Sequence, residues 1–246
     1  MCTVTLIRDD ATLRLACNRD ELRTRPVARP PVERAFGERR ALLPIDPVSG
    51  GTWIAVNDAG LALTLLNVNL ETPPTNHVHH RSRGGIIPSL LGMTSVDEAL
   101  DAAARLDPAL YPPFRLIVLD RHSLGDVYSD GKTRRVDRIS HDALPAMFAS
   151  SGLGDHIVDP PRRELFTRMF TGHDQTAATQ DAFHPHPSPD RTELSVCMAR
   201  SDAMTVSFTV IELHSDAASM RYQPGLPTND AAATTLSLAL HEAYAS

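Results

Sequence analysis

Residues 2–8 are β-branched and apolar, Asp9-Asp10-Ala11-Thr12 is turn chemistry, and Leu13 to Asn18 forms a second apolar run. The chain therefore opens on a predicted β-hairpin. Thr52–Val56 and Leu61–Leu66 flank Asn57-Asp58-Ala59-Gly60, a second hairpin signal. Arg115–Leu119, Asp126–Ser129 and Thr133–Val136 read as strands, and Ser195–Met198 with Thr205–Leu213 reads as a late hairpin. Helices are expected in three places. Ser95-Val96-Asp97-Glu98 has the capping-box pattern and opens one to about Leu106. Pro161 and Glu164 begin another through about Phe170, and the Ala/Leu-rich Thr234–Tyr244 is the third. Residues 19–47 carry arginine at seven positions and proline at 26, 30, 31, 44 and 47, which predicts an extended basic loop because proline interrupts a helical ladder. Two further loops are expected, one rich in Pro and His over Leu70–His80 and one rich in His, Pro and Asp over 183–193. With no repeat and no clear linker, one α+β domain spanning 1–246 is expected, its helices covering antiparallel sheets.

Composition narrows the function classes. The 24 Lys+Arg against 30 Asp+Glu give a net charge of −6, and aromatic residues are 5% of the chain, with one tryptophan, Trp53. Nucleic-acid binding calls for basic surface and stacking rings, so it is not expected. Charge appears within the first eight positions, and no aliphatic run approaches the ~20 residues of a membrane span. Cys2, Cys17 and Cys197 form no C-x-x-C, against a disulfide framework or structural zinc, and a cytoplasmic address is expected. His77, His79 and His80, and the pair His184 and His186, have close spacing but no nearby carboxylate cluster or cysteine to complete a ligand set, so no metal site is assigned. His241-Glu242 lacks the second histidine of a zinc protease motif, and serine-elbow, dinucleotide and P-loop motifs are absent.

Cys2 carries the chemistry. Removal of Met1 would leave a cysteine whose thiol and α-amine both titrate near neutrality, nucleophile and general base in one residue. The plainer alternative is a small buried strand residue. If Arg8 and Leu13 close the turn, paired positions sum to 21 and Cys2 lies opposite Arg19, whose guanidinium would favour the thiolate. A surface ion pair of Arg19 with Asp20 or Glu21 is the competing reading.

Met1-Cys2-Thr3 followed by Asn18-Arg19-Asp20-Glu21 resembles the NRDE family, the relatives of transport and Golgi organisation protein 2. Gly50-Gly51-Thr52-Trp53-Ile54-Ala55, Gly60-Leu61-Ala62, Asn67-Val68, Ser82-Arg83-Gly84 and Thr205-Val206-Ser207 extend the resemblance over roughly the whole chain. That family is similar to N-terminal-nucleophile hydrolases of the choloylglycine hydrolase and penicillin V acylase type. The resemblance implies an αββα sandwich, with Cys2 as nucleophile, Asp20 holding the terminal amine and Asn67 in the oxyanion hole. Arg19 joins them as a candidate catalytic residue, and Asn18, Glu21, Arg23 and Arg83 are candidate substrate contacts. The chain departs from those amidases in three places. Cys17 stands where they have arginine, Phe114-Arg115 where they have Phe-Asn, and no asparagine occurs between His77 and Thr228.

Two functions follow. One is a cysteine amidohydrolase or acyl transferase for a small anionic acyl substrate, which the basic 19–40 segment would suit and which needs no cofactor. The other is a haem or acyl-lipid carrier on the same fold, with Cys2 or a loop histidine as axial ligand. A fold retained without activity is the third option.

Overall fold

The computed structural model describes residues 2–72, 81–172, 174–188, 190–228 and 231–241. The expected histidine cluster at 77–80 lies outside these, as do residues 242–246. Strands β1 (Cys2–Asp9), β2 (Thr12–Leu22), β10 (Ala146–Ser150), β11 (Ala203–Leu213), β12 (Ala217–Pro224) and β13 (Thr234–Ala239) form a six-stranded sheet in the order β10-β1-β2-β11-β12-β13. Strands β3 (Arg29–Phe36), β4 (Arg39–Ile45), β5 (Ile54–Asn57), β6 (Ala62–Asn67), β7 (Phe114–Leu119), β8 (Leu124–Ser129) and β9 (Arg134–Ile139) form a seven-stranded sheet in sequence order. Every pairing is antiparallel.

Strand alternation builds three layers of core. Cys2, Val4 and Leu6 of β1, with Leu13, Leu15 and Cys17 of β2, pack between the sheets against Trp53, Ile54 and Val56. Ile7, on the other face of β1, meets Phe166 and Phe183 of α3 (Asp155–Met169) and α4 (Ala177–Phe183). Leu63 and Leu65 of β6 meet α1 (Ile86–Leu90) and α2 (Val96–Ala104). Because helices cover the outer faces as well, β1 is buried on both sides over Cys2–Ile7. This is the expected αββα sandwich.

The opening hairpin has the expected register, with Cys2 opposite Arg19 and Arg8 opposite Leu13. Ser95 caps α2 through its Oγ, which accepts from the Glu98 amide. Several expectations are corrected. Residues 19–47 are no loop: β2 runs on to Leu22, and β3 and β4 pair around Gly37. Pro30 and Pro31 are tolerated because β3 is an edge strand whose register shifts between Arg29 and Val32. The C-terminal helix is strand β13, where Thr234, Leu236 and Leu238 alternate toward β12 and the core. Two-residue periodicity outweighs the alanine and leucine content there. The late hairpin joins β11 to β12, and Ser195–Met198 forms no strand. Helix α3 starts at Asp155, with Pro160 and Pro161 inside it.

Candidate active site

At one end of the intersheet space lies a cavity of about 310 Å³, lined by the candidates Cys2, Arg19, Glu21, Asn67 and Arg83, by Arg25 of the basic segment, by Thr52 and Trp53, and by Asp46 and Ser49, which the sequence did not single out. The central position of β1 places Cys2 there at 3% exposure. Its backbone N donates to Ser150 Oγ at 3.1 Å, a hydroxyl brought opposite it by β10. A hydrogen bond from the Cys17 thiol lowers the Cys2 pKa from the ordinary thiol value, outweighing burial, and Arg19 adds to the effect. The same bond, with burial, pushes Cys17 well up. Burial raises Cys197 to about 11. Cys2 is thus the most acidic of the three thiols.

Arg19 stacks over Trp53, 4.1 Å from the ring centroid, and donates to Asp46 at 2.5 Å and Glu21 at 3.2 Å. Arg25 meets Asp46 through two bonds of 2.9 and 3.0 Å. Burial opposes ionisation of Asp46, yet Arg25, the Ser49 amide and Arg19 hold its carboxyl well below the usual range. The ion pair of Arg19 with Glu21 is the competing reading of the sequence, though buried rather than at the surface; the part played by Arg25 and Asp46 was not foreseen, because both stood inside the presumed loop. Asn67 ends β6 on the cavity wall, and its carboxamide makes no hydrogen bond among the described residues.

Other candidates point elsewhere. Asn18 faces the helices, where its Nδ2 donates to the His184 and Val196 carbonyls at 2.8 and 3.0 Å and its Oδ1 meets His184 Nδ1. Its place is a buried clamp, outside the cavity. Arg23 donates to the Arg200 carbonyl at the surface and is also outside it. Asp20 does not line the cavity either. Its Oδ1 accepts from Thr205 Oγ1 at 2.7 Å, and Arg162 of α3 lies 3.8 Å from Oδ2. Asp20 and Arg162 are each 1% exposed in side chain, and Asp20 Oδ2 and Arg162 Nη2 lack hydrogen-bond partners among the described residues. Burial raises the Asp20 pKa against the pull of Arg162 and Thr205. Its charge is felt at Cys2, where it opposes thiol ionisation. Arg162 sits beyond any local motif, and only a helix packed under β1 brings it in.

His184 is buried neutral, its pKa lowered to about 3 by burial and then by Arg14. Among the described residues no group of three or more His, Cys, Asp and Glu could hold a metal ion. Nor is any helix long and apolar enough to cross a membrane.

The layer order is that of the N-terminal-nucleophile hydrolase fold. A single-residue variant of conjugated bile acid hydrolase from Clostridium perfringens superposes with a TM-score of 0.57 at 9% identity, covering 100% of both chains. The N-acylethanolamine-hydrolyzing acid amidase orthologue of Caenorhabditis elegans gives 0.53 at 14% identity, over 85% of this chain and 92% of that one. The chain itself belongs to the transport and Golgi organisation 2 family, whose model matches residues 1–180. No curated protein matches it in sequence.

Proposed function

We propose that the protein is a cysteine amidohydrolase, or a closely related acyl transferase, acting on a linear C–N amide bond through Cys2. The observation that carries this reading is a single acid-shifted thiol lining a cavity, with the Asn67 carboxamide, unpaired among the described residues, lining the same cavity from the other sheet. Removal of Met1 is part of the proposal. The Cys2 α-amine then takes the thiol proton, and Sγ attacks the amide carbon. The developing oxyanion accepts a hydrogen bond from Asn67 Nδ2. The α-amine, held by Ser150 Oγ, returns the proton to the leaving nitrogen. A thioester remains, and water or an acceptor amine resolves it by the reverse proton path. The likeness to a conjugated bile acid hydrolase and to an acid amidase supports the same reading at the level of fold.

The test is a panel of N-acyl amines and N-acyl amino acids, with intact mass to establish loss of Met1. Turnover by the processed chain, abolished in Cys2→Ala, is the expected result. The carrier reading predicts instead a saturable, shifted Soret band at one equivalent of haem with no turnover, and that outcome would replace the hydrolase.

A further inference from the structure

The cavity holds five charged side chains, and four of them satisfy each other. Arg19 and Arg25 both meet Asp46, at 2.5 and 2.9 Å, and both meet Glu21, at 3.2 and 3.7 Å. Two guanidinium and two carboxylate groups therefore form a closed set with no net charge. Arg83 is outside it. Its Nη1 donates to the Pro113 carbonyl at 2.8 Å, a neutral acceptor, and no carboxylate lies within ion-pair distance among the described residues. A guanidinium has five N–H donors in a planar fork that matches a carboxylate. Burial disfavours its charged form, Glu21 and Cys2 offset part of that from a distance, and a bound anion in direct contact would offset more.

The backbone beneath Arg83 is fixed. It opens a 3₁₀ turn, Arg83–Gly85, capped by Ser82 Oγ accepting from the Gly84 amide at 3.2 Å. The Gly84 carbonyl accepts from the Thr52 amide at 3.2 Å. The approach is so close that a Cβ on Gly51 would sit 2.0 Å from that carbonyl oxygen. Arg83 is thus carried on a turn pressed against the loop that leads into β5, and it lines the same cavity as Cys2.

We propose that Arg83 binds a carboxylate of the substrate, so that this cavity takes amides carrying a free carboxylate. The inference rests on the amidohydrolase reading of the same cavity. It also relocates the anion preference, since of the seven arginines in residues 19–40 only Arg19 and Arg25 line the cavity and both are already paired.

Matched substrates test it. On the amine side an N-acylglycine is compared with its glycinamide, and on the acyl side the monoamide of a dicarboxylic acid with the diamide. For one of the two pairs the wild type should favour the acid in kcat/KM by about 10- to 100-fold, the range of a hydrogen bond to a charged group. Arg83→Met should collapse that ratio toward one, and Arg83→Lys should retain part of it. Equal rates for both members of each pair, or a ratio unchanged in Arg83→Met, would overturn the inference and leave the hydrolase standing. Calorimetry on Cys2→Ala protein separates the two failures, using N-acetylglycine against N-acetylglycinamide and succinamate against succinamide as probes. Preferential binding of the acid in one pair that disappears on adding Arg83→Met sustains the carboxylate site even if no amide is cleaved; equal binding of acid and amide in both pairs sinks it. Thermal unfolding of each variant confirms that the fold is retained; should Arg83→Met unfold, the wild-type ratio and Arg83→Lys decide.

Discussion

The two faces of β2 place neighbouring residues in different surroundings. Arg19 and Glu21 reach the cavity, where they join Asp46 and Arg25 around Cys2. Asn18 and Asp20, one residue to either side of Arg19, turn toward α3 and α4 and are enclosed by His184, Thr205 and Arg162. The four-residue run is thus two pairs of residues, one open to a ligand and one holding the strand against its helices. Strand alternation separates chemistry from support within a single motif.

Substitutions on the two faces should therefore fail in different ways. The largest effect is Cys2→Ala, which should remove turnover altogether while the urea midpoint stays close to wild type. Next is Arg162→Met on the helix side, which leaves the Asp20 carboxylate buried without its cation. Chemical denaturation should report a loss of about 3–5 kcal/mol, and near-wild-type stability would show that Asp20 is already neutral. Asn67→Ala should lower kcat by about 10²-fold, the scale of one lost oxyanion donor, with little change in unfolding. A smaller effect is read as pH dependence. The His184 pKa is below its unfolded value, so its contribution is full above about 6.5 and is lost as pH falls toward about 3. Melting temperature should drop between pH 6.5 and 4.5, and His184→Gln should flatten that slope at a lower plateau. Smallest is a rate: a short iodoacetamide pulse at neutral pH should label Cys2 ahead of Cys17 and Cys197, and Arg19→Met should slow it modestly.

The cavity face could be read from the sequence because it depends on local pairing. A tight turn at Asp9–Thr12 sets the register, and the register alone puts Arg19 across from Cys2. The helix face could not, since its partners arrive from far along the chain: Arg162, His184 and Thr205 are each more than 140 positions from Asn18 or Asp20. Ser150 was missed for a related reason. Its strand is five residues long and carries no turn signal that would single it out. Arg25 and Asp46 lie in the connections that follow β2 and β4, and no local pattern says that two connections 21 residues apart meet over the cavity.

Trp53, lying beneath the Arg19 guanidinium, has an optical consequence. It is the chain's one tryptophan and stands on the cavity wall, so all indole emission originates at the site. Ligand entry, displacement of the cation above the ring, or energy transfer to a bound porphyrin each alters that emission without any label. The protein carries its own fluorophore at the place where occupancy has to be measured.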